Sequence, residues 1–166
     1  ARGDTPKSIG HYEAALKSDP KHPNTHKNLA YILNADGKTD EAREAFLKAI
    51  ENDPSDGDAH GGLGDVLSAT NQLDGALEHY RKALELSPEE PMVLNYLGYS
   101  LIEKKLNLQE AMEMVKKAVE LRPNDGYIID SLGWAYYQLG DYEQAVTLIQ
   151  RAVELLPADP IIAEHL

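Results

Sequence analysis

GYIIDSLGWAYYQLGDYEQAVTLIQRAVELLP, residues 126–157, is the stretch whose reading decides the fold. Apolar residues recur at three- and four-residue steps in two runs, the period of amphipathic helices. The runs are separated by Gly140, and the second stops at Pro157. Glycine tolerates the left-handed backbone that ends a helix, and proline cannot continue one. The stretch therefore reads as two short helices folded back on each other. A pair this small cannot bury its own apolar faces, so it needs neighbours.

The neighbours are copies of itself. Pro20, Pro54 and Pro88 lie 34 residues apart, Pro123 follows after 35, and Pro157 after 34. Such fixed self-similarity is the mark of a repeat array. Ala15, Ala49, Ala83, Ala118 and Ala152 each precede their proline by five residues. A second alanine position runs Ala42, Ala76, Ala111 and Ala145, and between the two stand Phe46, Tyr80, Val115 and Ile149, with Tyr12 in a first partial unit. Upstream come Leu29–Ala30, Leu63–Gly64, Leu97–Gly98 and Leu132–Gly133, each followed three residues later by Leu33, Leu67, Leu101 or Tyr136. Small residues at these positions let helix backbones approach closely. Gly37 and Gly140 are expected in the turns within hairpins, with Asn71 playing the same part, while Pro23, Pro91 and Pro160 open helices where a missing N–H costs nothing.

These positions resemble the tetratricopeptide repeat, whose pattern runs Leu-Gly, Tyr, Gly, Ala, aromatic, Ala, Pro. The resemblance spans essentially the whole chain. It implies an all-α fold, a right-handed superhelical α-solenoid of antiparallel helix hairpins. The expected organisation is a single array over 1–166. The second helix of a partial repeat covers 4–20. Repeats follow at 23–56, 57–90, 91–125 (with one residue inserted near Lys105–Asn107) and 126–159, and a further repeat starts at 160–166. Neither end reads as a polar cap, so the array is expected to continue in both directions.

Composition bounds the function. The chain has 166 residues, no cysteine and a formal net charge of −12. Disulfides are excluded, and no apolar run approaches the ~20 residues that span a bilayer. Residues 124–166 hold seven acids against Arg151 alone. A nucleic-acid surface needs clustered cations to displace counterions, so nucleic acid is a poor partner. Direct membrane insertion is not expected.

In the family, the first helix of each hairpin lines a concave face that selects a protein or peptide ligand. The resemblance then implies partner-binding positions at Asn24, Lys27, Asn28 and Tyr31, at Asp65, at Met92, Asn95, Tyr96 and Tyr99, and at Tyr127, Asp130, Trp134 and Tyr137. Asn34, Asp58, Gly61, Ser68, Ile102 and Ser131 extend the same face. The face begins amide-rich, turns small and acidic, and ends aromatic. Large amphipathic rings anchor protein interfaces, although the same rings can pack between hairpins. Asp58, Asp65 and Asp130 point to ligands carrying Lys or Arg. Some family members clamp a terminal carboxylate with Lys, Asn and Arg on successive first helices. Here Gly61, Gly62 and Asp65 stand where Asn and Lys are wanted, so that ligand is not expected.

No chemistry emerges beside this. His22 and His26 are four apart across a helix start and lack a third ligand, whereas structural metal sites need three or four. His26 and His60 fill a bulky apolar position and read as packing residues with a polar edge. Ser131 and Asp130 are neighbours, but no histidine belongs to their hairpin, and nucleophilic catalysis needs a base beside the nucleophile. No cofactor, metal or catalytic residue is expected. The leading reading is a non-catalytic scaffold that binds a protein or peptide segment. Its alternatives are a homo-oligomer assembled through uncapped ends (by Leu148, Ile149 and Val153), or the accessory region of an enzyme whose catalytic domain lies elsewhere. The stretch from Pro91 to Leu166, with NYLGYSLIE, DGYIIDSLGWAYYQLGDYEQAV and ELLPADPIIAEHL, also resembles the end portion of large bacterial repeat proteins of the cell envelope. That resemblance points to the periplasm or envelope, with the cytoplasm as alternative.

Overall fold

The computed structural model describes residues 5–166, so the expected helix start at residue 4 lies outside them. The described residues form ten helices and no strand. They gather into two compact units, one ending at Pro88 and one running Glu89–Leu166. Unit 1 holds α1 (Thr5–Ser18), α2 (Pro23–Ala35), α3 (Thr39–Asn52), α4 (Gly57–Ala69) and α5 (Leu73–Leu86). Unit 2 holds α6 (Pro91–Glu103), α7 (Leu108–Leu121), α8 (Gly126–Gln138), α9 (Tyr142–Leu155) and α10 (Pro160–His165).

Each helix begins and ends for local reasons. Carboxylates cap the starts of α4, α6, α8 and α10, and the His22 imidazole caps α2. Asp56 accepts from the Ala59 N–H, Asp125 from Tyr127 and Ile128, and Asp159 from Ile161 and Ile162. Such caps satisfy N–H groups that the helix itself leaves unpaired. The turns inside the hairpins share one geometry. A residue with positive φ stands at Gly37 (80°), Asn71 (59°), Lys105 (54°) and Gly140 (82°). The next N–H reaches back to the expected bulky residue: Lys38 to the Leu33 carbonyl, Gln72 to Leu67, Leu106 to Leu101 and Asp141 to Tyr136. This is the Schellman closure of a helix C-terminus. The inserted residue of the third hairpin shows itself as a second left-handed position, Asn107 (44°), immediately before α7.

The repeated positions form the core. Phe46, Tyr80, Val115 and Ile149 are at most 2% exposed, and so are Ala42, Ala76, Ala111 and Ala145. Val115 and Ile149 approach the opposite helix so closely that a methyl group added at Gly98 or Gly133 would lie 2.6 Å from them. Three expectations change. Ala15 is exposed, because α1 has no hairpin partner among the described residues. Ile102 is buried, since α6 is apolar nearly all round, with Val93, Leu94, Leu97 and Leu101 buried beside it. Leu148, Ile149 and Val153 do not form a free assembly face. Ile149 is core, and the other two pack against Ile129, Ala152 and Ile162. Among the described residues no helix is long and apolar enough to cross a membrane.

Candidate functional site

In unit 1 the first-helix face is largely tied to itself. Asn24 and Asn28 of α2 are exposed. Lys27 is not free for a ligand, because its ammonium lies 2.8 Å from Asp56 and 3.4 Å from Asp58. Burial works against that charge, yet the two carboxylates outweigh it and raise the Lys27 pKa. Tyr31 donates to the Asp58 carbonyl at 2.9 Å and stands edge-on to Phe46. Asp65 accepts from the Tyr80 hydroxyl at 2.9 Å. These contacts stitch α2 to α4 and α4 to α5.

Asp65 has a thermodynamic consequence. Burial pushes its carboxyl up to about 6, although the Tyr80 hydroxyl favours the charged form. A folded-state pKa above the unfolded value means that the fold holds the proton more tightly. That contribution is complete below the unfolded value of about 4 and is lost as pH rises through about 6. Asp65→Asn keeps an acceptor for Tyr80 without the buried charge. Allowing for solvent still reaching the site, we expect it to gain about 1–2 kcal/mol near neutral pH and nothing at about pH 3.5. Urea unfolding at both pH values checks this, and an equal gain at both would sink it.

The histidines of unit 1 serve loops. His26 and His60 are each 7% exposed and direct Nε2 at the carbonyl six residues upstream, Pro20 at 2.8 Å and Pro54 at 3.3 Å. The His60 and His79 Nδ1 atoms lie 2.9 Å apart, and burial, then His60, lowers the His79 pKa. Among the described residues no three candidate ligands converge on a metal position.

Unit 2 is different, because its first helices leave a cavity of about 580 Å3. α6 supplies Met92, Asn95, Tyr96 and Tyr99 to its wall, and α8 supplies Tyr127, Asp130 and Ser131. α10 completes it with Ile161 and His165. The polar floor is unusual. Asn95 is 4% exposed, and its side-chain oxygen is buried without a hydrogen-bond partner. Asp130 is 7% exposed and accepts from His165 Nδ1 at 2.8 Å. Burial raises the Asp130 pKa although His165 pulls the other way. The hydroxyl of Ser131 is committed to the Tyr127 carbonyl of its own helix. Ser131 thus directs its hydroxyl along its own helix, while Asp130 pairs with His165.

An aromatic ladder adjoins the cavity. His165, Trp134 and Tyr137 stack at centroid distances of 4.8 and 5.2 Å, and Tyr142 continues from Tyr137 at 5.5 Å. The indole N–H of Trp134 donates to Glu103 of α6 at 2.5 Å. Tyr137 and Tyr127 are exposed, and Tyr127 donates to Asp159 at 3.0 Å.

Tetratricopeptide repeat models match residues 1–57, 45–78 and 127–159, and a TPR repeat model matches 64–104. The chain belongs to the tetratricopeptide repeat family. Solved structures agree. MamA from Desulfovibrio magneticus RS-1 is 20% identical, with a TM-score of 0.78 over 96% of this chain and 89% of that one. YrrB, a TPR protein with an unusual peptide-binding site, is 23% identical, with a TM-score of 0.73 over 98% and 82%. Pseudomonas aeruginosa PilF is 29% identical, with a TM-score of 0.74 over 86% and 65%. This likeness shows the fold class, an all-α solenoid of TPR hairpins. No curated protein sequence matches the chain.

In TPR register the site is simple to state. Tyr31, Asp65, Tyr99 and Trp134 share one repeat position, and Lys27, Gly61, Asn95 and Asp130 share another. Met92, Tyr127 and Ile161 share a third, and Tyr96, Ser131 and His165 a fourth. The cavity residues of α6 and α8 are all among the positions expected from the sequence, whereas Ile161 and His165 are not. Both were legible as the next copies of positions already chosen.

Proposed function

We propose that this TPR chain binds a segment of another protein, and that the site is the unit 2 face built by α6, α8 and α10. TPR proteins generally act as scaffolds for protein–protein interaction. The observation that supports this face is the tyrosine-walled cavity with an unpaired acceptor in its floor. Concave apolar sites with a few convergent polar groups are where ligands are held. The unit 1 face, by contrast, spends Lys27, Tyr31 and Asp65 on internal contacts.

A displayed library of random peptides selected on the wild-type chain tests the reading. Selected peptides should lose about tenfold or more in affinity on the Tyr99→Ala/Trp134→Ala chain, the scale of an anchoring pair. Helix content should persist in that variant. Asn24→Ala/Asn28→Ala, on the exposed face of unit 1, should leave affinity unchanged. Peptides that bind both chains equally would remove the cavity from the site.

A further inference from the structure

We infer that the unit 2 cavity is built to receive a cationic side chain of the bound segment, an arginine guanidinium above all. This rests on the cavity being the binding site, and three features of the cavity carry it.

The first is the balance of donors and acceptors. Among the described residues the Asn95 side-chain oxygen has no partner, and the Asp130 carboxylate hydrogen-bonds to His165. A carboxylate has room for about four hydrogen bonds, so a further donor can be accommodated. A turn of the Asn95 amide about its last side-chain bond, a soft torsion in general, would aim that oxygen at a ligand. Both groups call for a ligand that donates.

The second is charge. None of the described lining residues is Lys or Arg; Glu103 lies on α6, Glu164 on α10, and Asp159 caps the start of α10. Burial, with Asp159 nearby, holds the Asp130 carboxyl up although His165 pulls it down. An arriving cation supplies what is missing.

The third is shape. Tyr96, Tyr99 and Tyr127 offer rings around the acidic floor. A guanidinium is planar, stacks on aromatic faces and can engage a carboxylate with two parallel donors, which a compact ammonium cannot do.

The test uses three peptides, acetyl-Gly-Ser-X-Ser-Gly-amide, where X is arginine, its neutral near-isostere citrulline, or norleucine. Each is titrated into the full chain, and backbone amide shifts on α6, α8 and α10 are followed. The arginine peptide should bind about fivefold or more tightly than the citrulline peptide. Added salt should narrow that gap. Asp130→Asn should erase it. That variant also loses the His165 contact, so His165→Gln serves as the second: it keeps the carboxylate and should preserve or widen the arginine preference. Citrulline or norleucine binding as well as arginine would overturn the cationic specificity while leaving the cavity as the binding site. Loss of the arginine preference in His165→Gln would overturn it too. Silence from all three peptides on these helices would remove the cavity itself.

Discussion

Phe46→Ala is expected to destabilise unit 1 by about 3–5 kcal/mol, the cost of emptying a fully buried aromatic site. Phe46 has no exposed surface and meets Tyr31 edge-to-face with centroids 5.0 Å apart. Its ring also lies directly under Gly62 of α4, where an added methyl group would overlap it. That overlap predicts a reversal of sign. Gly62→Ala alone should destabilise by about 1–3 kcal/mol through overpacking. In the Phe46→Ala background the methyl has room, and removing a glycine from a helix interior should stabilise by up to about 1 kcal/mol. Urea unfolding of the four chains of this double-mutant cycle measures the coupling. Additive effects would mean that the two residues do not meet.

Gly98→Leu should cost unit 2 about 3 kcal/mol or more. Here the obstacle is partly backbone. A Cβ at Gly98 would lie 2.6 Å from Val115 Cγ2 and 2.9 Å from the Ala111 carbonyl oxygen. A side chain can step aside, but a carbonyl inside α7 moves only with its helix. Val115→Ala should therefore fail to restore Gly98→Leu, in contrast to the Phe46–Gly62 pair. Thermal unfolding followed by circular dichroism decides this. An unchanged melting temperature would contradict the register of the third hairpin.

The contrast between these two glycines shows what could be read from one chain of letters. Gly98 stood in a repeated position, so its close approach was legible. Gly62 shares its position with Tyr96, Ser131 and His165, so no repeated small residue marks it, and the placement of Phe46 supplies its reason. The turn residues Gly37, Asn71 and Gly140 were legible because left-handed backbone favours Gly and Asn. Lys105 was not, since lysine gives no such signal and fills that geometry only because its hairpin repeats the others. The candidate face was half legible. The family resemblance says which side of each hairpin faces a ligand, and Tyr99, Asn95 and Asp130, chosen on that ground, line the cavity. It is blind to a partner on another helix. Lys27 finds its carboxylates 29 and 31 residues away, and Asp130 finds its histidine 35 residues away. Whether a polar residue is spent on such a contact or left for a ligand is decided by packing between repeats.

The indole beside the cavity carries one more consequence. Trp134 is the chain's single tryptophan, half-buried, hydrogen-bonded to Glu103 and stacked on His165, which lines the cavity wall. Its fluorescence is thus an optical readout installed at one spot, requiring no dye. Anything that displaces His165 or reorders the polarity around the indole registers as a change of emission, free of background from any other indole.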